Sequence, residues 1–456
     1  IAINALVLTT CQSFTPFPAS VSSRLRRSPA NERPLLSFAN NIVLQQSPRQ
    51  DYSEVLVFDE NDSTNMKKIE YSELQNIIDV SRPYYKLENE HLVDTLNTDV
   101  GYVSDNTMPL GFFCTVVPEM SIGREAGSPI SSAEAGRHMA IAGSVAAALN
   151  QPSKNNGKNY YLAMDCQLEQ ICNSQRRFFQ DADLFEIMDS NDLKNNHIVI
   201  LAVCYEMTDR NASCKILMQF PEEYDNIAYY LRVNYTVMAP RLFNRFSPRR
   251  ALEEDVKYPS TSSTSNEIYH KKSQPVLHHQ PDDVSPYAEF RGLPSDSFEI
   301  LSQNESAVTM DSTIPKISAA SCHGHFDGNP AFPIAFMFAH CTDLSGKAIG
   351  TLIDTDISFV EESTSPADKK KIKEQQDAGN ILNFVSAKMM AHKMVFADTH
   401  GLTIISEVEK VQNTGERMLY FSKVSVVASS SSALPGGDNT EGLIVSTNIV
   451  FELLLA

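Results

Sequence analysis

Twice along this chain a single, mostly apolar helical run stands directly ahead of several long strand-like runs. The first helix is SSAEAGRHMAIAGSVAAALN, followed by YYLAMDCQLEQI, NHIVILAVCYEM, CKILMQF and YYLRVNYTVMAP. The second begins near PIAFMFAHCTDLSGKAIG, and KMMAHKMVFADTHGLTIISEVEKV, MLYFSKVSVVAS and GLIVSTNIVFELL come after it. These runs are rich in β-branched and aromatic residues and partly alternate, as strands do. One apolar helix accompanied by that much strand has few ways to bury itself, and the simplest is a sheet curled around it. The first helix suits such burial: Ala, Gly and Ser allow close approach, while Met139, Ile141 and Val145 supply apolar area. The pattern predicts an α+β chain of two similar halves.

The stretch SPRRALEEDVKYPSTSSTSNEIYHKKSQPVLHHQPDDVSP has no apolar periodicity and is rich in Ser, Pro and charge. It reads as a linker over 247–286. It separates a first domain, 71–246, from a second, 287–456, with 36–70 as an N-terminal extension. Residues 1–35 read as a targeting segment. The short apolar run IAINALVLTT leads into CQSFTPFPASVSSRLRRSPA, and no acidic residue occurs before Glu32. This order resembles the bipartite plastid presequences of algae with secondary plastids, in which cleavage falls just before a phenylalanine; Phe14 has that place. The resemblance implies a plastid location, and the cytoplasm is the alternative.

A formal charge of −18 argues against nucleic acid as a partner, because phosphate binding needs clustered Lys and Arg. No stretch of about eighteen uncharged apolar residues occurs, so no membrane span is expected. The eight cysteines contain no Cys-x-x-Cys pair, and no Gly-rich phosphate loop is present. Neither metal nor any other cofactor is expected.

Just ahead of the second helix stands SCHGHFDGNPAFP. Its GHFDGNPAFP resembles the GHFxGxPxxPG signature of β-hydroxyacyl carrier-protein dehydratases, which adopt the hot-dog fold. His325, Phe326, Gly328, Pro330 and Pro333 stand in matching places, and Ile334 replaces the glycine that ends the signature. The resemblance implies a double hot dog in which antiparallel sheets each wrap a central helix. It also implies that His325 is the acid/base, with a helix carboxylate fourteen residues later in the partner unit. That position is Ala339 in the second half, beside His340. The first half shows the converse: its helix carries Glu134, while Met120 stands fourteen residues before it. Gly123 and Pro129 fall at or near the places of the signature glycine and second proline. Each half thus keeps what the other has lost, and together they retain one His325/Glu134 pair.

The chemistry implied is loss of water from a 3-hydroxyacyl thioester. His325 takes the C2 proton, and Glu134, its pKa raised in an apolar tunnel, supplies a proton to the leaving hydroxyl. Gly328, Pro333, Ile334 and His138 are the candidates for holding the thioester, with free N–H groups at the helix start facing its oxygen. Glu134 also has a plainer role, because Ser131-Ser132-Ala133-Glu134 has the spacing of a capping box. His138, four residues after Glu134 on the same face, either serves the site or is a satisfied buried histidine. Arg137 reads as a salt-bridge or tunnel-mouth residue. APRLFNRFSPRR, with Arg241, Arg245, Arg249 and Arg250 and no acid, is either a docking surface for an acyl carrier protein or a solvated pre-linker segment. Two other functions stay open: a hot-dog thioesterase using Glu134, and a non-catalytic acyl-thioester-binding scaffold. A monomeric pseudo-dimer and a homodimer both fit.

Overall fold

In the computed structural model the described residues are 66–81, 84–94, 110–117, 130–151, 158–176, 179, 181, 184–185, 188, 197–221, 228–246, 293, 297–317, 322, 324–326, 331–361, 382–397, 399–413, 417–428 and 442–454. The targeting segment, the linker, Met120, Gly123, Pro129, Gly328, Pro330, Arg249 and Arg250 lie outside them.

In the first half, β1 (Met66–Lys68), α1 (Tyr71–Leu74), β2 (Leu87–Asp94) and β3 (Leu110–Val116) precede the long helix α2 (Ser132–Leu149). After it come β4 (Tyr160–Ile171), α3 (Asn173–Arg176), β5 (Ile198–Met207), β6 (Asn211–Gln219), β7 (Ala228–Met238) and α4 (Pro240–Phe246). The second half has β8 (Phe298–Gln303) and β9 (Ala307–Ile314), then α5 (Ile334–Glu361), then β10 (Asn383–Ala391), β11 (Leu402–Asn413), β12 (Arg417–Ala428) and β13 (Gly442–Leu454).

Among the described residues the strand order is β1-β2-β3-β5-β6-β7-β4-β10-β13-β12-β11-β9-β8, a sheet of thirteen strands. The halves repeat one plan. The last two strands before the helix pair with each other, β1 adding a further strand beside β2 in the first half, and the strand just after the helix crosses to the far side of its half. Each helix lies against its own half's sheet, α2 on β5, β6 and β3, α5 on β11 and β9. This is a hot-dog-like fold. The halves join where β4 pairs antiparallel with β10, with Met389 opposite Cys166 and Ala387 opposite Leu168.

The sequence reading missed the strands ahead of each helix. It also took KMMAHKMVFADTHGLTIISEVEKV as continuous, whereas residues 392–401 interrupt it between β10 and β11. Close approach of α2 to the sheet is as expected. Tyr235 donates from its hydroxyl to the Ala140 carbonyl at 2.6 Å, and a Cβ on Gly143 would stand 2.5 Å from that hydroxyl. Because α2 is covered nearly all round, it shows no polar face. The apolar core runs through both halves, and α2 and α5 touch each other.

Candidate active site

The His325 loop is gripped from two sides. From the first half, Ser81 N–H donates to the Gly324 carbonyl at 2.9 Å, and Phe326 N–H donates to the Asp79 carbonyl at 3.2 Å; Val80 and His325 form an isolated antiparallel bridge. From the second half, Phe332 N–H donates to the Val395 carbonyl at 2.8 Å. Gly324 has φ +81°, and a Cβ there would sit 2.8 Å from the Tyr84 nitrogen, so glycine is required twice over. Phe326 also has a positive φ, 63°, unusual for a bulky residue. Its ring packs edge-on against Tyr160 at 5.3 Å and Phe243 at 5.4 Å, and these contacts hold it there.

The His325 imidazole lies between rings, 4.1 Å from Phe326 and 4.9 Å from Tyr84. Its Nδ1 is 2.8 Å from the Ala331 carbonyl oxygen, which can only accept. The ring proton is therefore on Nδ1, and Nε2 carries the lone pair. Burial pushes this histidine down to about 4, and the bond to Ala331 offsets only part of that, so the ring is neutral at physiological pH.

Glu134 stands in the first turn of α2. Ser131 caps the helix, its Oγ accepting from Glu134 N–H at 3.2 Å. The Glu134 side chain is buried, with Oε1 3.5 Å from His138 Nε2. Arg137 Nη2 is 3.3 Å from the same nitrogen. Arg137 is not at a tunnel mouth. Its side chain is fully buried, and its guanidinium lies 5.4 Å from the centre of the Tyr84 ring and 5.9 Å from that of Phe336 on α5. Burial, with the charges of Arg137 and Lys86, holds His138 well below the usual histidine range.

The Tyr84 ring therefore neighbours both the second half's histidine and the cation of the Glu134 cluster.

No family model matches the chain, and no curated protein matches it. Solved structures similar to it include an acyl-CoA thioesterase II from Mycobacterium marinum, 11% identical over 75% of this chain and 92% of that one, with a TM-score of 0.29. A 12:0-ACP thioesterase from Umbellularia californica is 8% identical over 75% and 93%, with a TM-score of 0.28. A protein of unknown function with a hot dog fold from Alicyclobacillus acidocaldarius is 9% identical over 76% and 93%, with a TM-score of 0.27. At these scores no activity and no residue role carries over to this chain.

The remaining candidates are placed as follows. Ile334 is the first residue of α5 and is half-buried. The Pro333 carbonyl accepts from Phe336 N–H at 3.1 Å, which opens the helix and leaves its first N–H groups without an intrahelical acceptor. In the second helix, Ala339 is buried, and burial pushes His340 to about 4, an effect that Asp343 opposes. Asp343 Oδ2 accepts from Leu293 N–H at 2.9 Å, and Lys347 donates to the Leu293 carbonyl at 3.3 Å. Asp343 and Lys347 thus hold the backbone of Leu293. Arg241 and Arg245 are exposed on the short helix α4, which buried Phe243, stacked on Tyr160 at 3.8 Å, fixes in place. Among the described residues no cluster of three His, Cys, Asp or Glu is placed to hold a metal ion. No helix among them is long and apolar enough to cross a membrane.

Sequence reasoning missed Tyr84 and Lys86. Both lie in SRPYYKLE, where a proline followed by paired tyrosines ahead of a strand was the available signal.

Proposed function

We propose that this chain is a tandem of two hot-dog units that hydrolyses acyl thioesters at one composite site. The observation that supports this reading is that Tyr84 neighbours both His325, at 4.9 Å between ring centres, and Arg137, whose guanidinium is 5.4 Å from the ring centre. The repeated strand order supports the tandem arrangement. In the proposed reaction Glu134 takes a proton from water as its oxygen attacks the thioester carbon. The C–S bond then breaks, and the leaving thiolate receives the proton. His325 Nε2 accepts a hydrogen bond that orients the water. Backbone N–H groups at the start of α5, near Ile334, stabilise the carbonyl oxygen.

Dehydration of 3-hydroxyacyl thioesters is the second reading, favoured by the signature around His325 and Pro333 and by the complementary loss of Glu and His between the halves. It asks His325 to remove a carbon-bound proton. A ring pushed to about 4 is a weak acceptor for that task, while it is adequate to orient water. In either reading the exposed arginines of α4 face an acidic acyl carrier protein, close to the histidine loop through Phe243 and Phe326.

Incubation with acyl-CoA and 3-hydroxyacyl-CoA separates the possibilities. Hydrolysis releases a free thiol that a disulfide dye detects, and Glu134→Gln removes that release. Enoyl absorbance with the thioester intact would establish dehydration instead. Saturable binding with neither product would leave a scaffold.

A further inference from the structure

We infer that Arg137 fixes the tautomer of His138, so that His138 presents its Nδ1–H as a hydrogen-bond donor to the thioester carbonyl oxygen. This rests on the acyl-thioester reading of the site.

The inference starts from one nitrogen with two neighbours. His138 Nε2 lies 3.3 Å from Arg137 Nη2 and 3.5 Å from Glu134 Oε1. A guanidinium has donors only, and a neutral imidazole has one N–H and one lone pair. Burial, then the charges of Arg137 and Lys86, keep His138 neutral, so only one ring nitrogen carries a hydrogen. With that hydrogen on Nε2, two N–H groups would meet head to head across 3.3 Å. With it on Nδ1, the Nε2 lone pair accepts a charge-assisted bond from Arg137. The planar guanidinium cannot turn its hydrogens away and is the nearer neighbour, whereas the Glu134 oxygen at 3.5 Å favours the opposite tautomer; we infer that the Arg137 cation outweighs it, giving the second arrangement.

It leaves a demand unmet. The His138 side chain is 0% exposed, and its Nδ1 has no hydrogen-bond partner among the described residues. A buried donor without an acceptor is costly and marks a place where a ligand completes the bonding. The acceptor this site would receive is the carbonyl oxygen, which gains negative charge in hydrolysis and in dehydration alike. A donor held in place before reaction stabilises that charge. A neutral ring already protonated on Nδ1, with Nε2 engaged by Arg137, is unsuited to act as a base. His138 is thus a catalytic donor, and Arg137 is the positioning residue behind it.

The test uses the full chain with its histidines labelled in the ring nitrogens. The expected spectrum of His138 at neutral pH is that of the Nδ1–H tautomer, and Arg137→Met converts it to the Nε2–H form. An oxoalkyl-CoA thioether keeps the carbonyl oxygen and lacks the cleavable bond; at saturation it should shift the Nδ1–H resonance. His138→Asn keeps a donor near the Nδ1 place and should retain most of kcat. His138→Phe and His138→Gln should lose about 100-fold in kcat with little change in KM. An Nε2–H tautomer in the unaltered protein overturns the inference, whatever the activity. An Nδ1–H resonance that ignores the bound analogue overturns the donor role while leaving the acyl-thioester reading standing on its own assay. Failure of the analogue to bind sinks both.

Discussion

His138, His325 and His340 are each held neutral by burial, and together they set the response of the molecule to acid. The sign follows from their lowered values. Between about 6.5 and about 4 the unfolded chain binds protons at His325 and His340 that the folded chain refuses, so stability is lost as pH falls through that window, and His138 acts in the same direction. For His340, whose side chain is buried, the loss approaches about 1.4 kcal/mol per pH unit. His340→Phe keeps an aromatic ring near Phe332 and removes the titration. It should flatten the dependence of the urea midpoint on pH between about 6.5 and 4.5, and an unchanged slope would refute the assignment. Asp181 acts in the same direction at lower pH. Burial alone would raise its carboxyl, but bonds from Lys215 and Tyr230 and the charge of Arg232 hold it below the usual range. Backbone geometry gives a second residue-scale prediction. Gly324→Ala forces a Cβ to within 2.8 Å of the Tyr84 nitrogen at φ +81°, so it should cost about 1–3 kcal/mol and abolish turnover by displacing His325. In α5 nothing lies within 4 Å of a Cβ on Gly350. Gly350→Ala should raise stability by about 0.5–1 kcal/mol without touching activity. Thermal melts of the two variants side by side check both expectations.

Among the elements, legibility followed how local the cause was. β4 was readable to the residue, because YYLAMDCQLEQI carries its own strand signal, and α2 was readable because Ser131 caps a run of good helix formers. β2 was hidden, since LENEHLVD bears charges and bulges: the register shifts between Glu88 and His91, and Asn89 has φ 50°. β8 was hidden as an almost wholly exposed strand at one end of the sheet. In the candidate site, His325 and Glu134 were singled out through the resemblance of GHFDGNPAFP to a family signature. Tyr84 and Arg137 acquire their roles from chain segments that meet only in the fold, and no local pattern announces that meeting. The short helix α4 shows the same contrast. Its arginines were visible in the sequence, while its helical form depends on Phe243 stacking against Tyr160. Charge reversal at exposed Arg241 and Arg245 should therefore leave the melting temperature in place. It should weaken binding of an acidic acyl carrier protein several-fold at low salt, with the difference shrinking as salt rises. Titrations of the carrier at two ionic strengths decide this, and equal affinity of variant and parent at low salt would remove α4 as the docking element.

At the scale of the whole molecule, the sheet does not stop at either half. β4 and β10 pair across the join, α2 touches α5, and Arg137 of one helix lies over Phe336 of the other. The histidine loop is held in shape by residues 79–81 of the opposite half. A half expressed alone would expose the open edge of β4 or β10, together with the helix face that its sibling covers. Such an edge recruits other strands and aggregates. Residues 58–246 and residues 287–456 produced separately should each be insoluble or lack a cooperative melt. Produced together they should reassemble and regain the activity of the intact chain. The intact chain should unfold in one transition, since the sheet and the apolar core run through both halves. Calorimetry on the full chain and size-exclusion profiles of the separate halves provide the check. A half that runs as a monomer and melts sharply by itself would show that the pairing of β4 with β10 joins two independent folds.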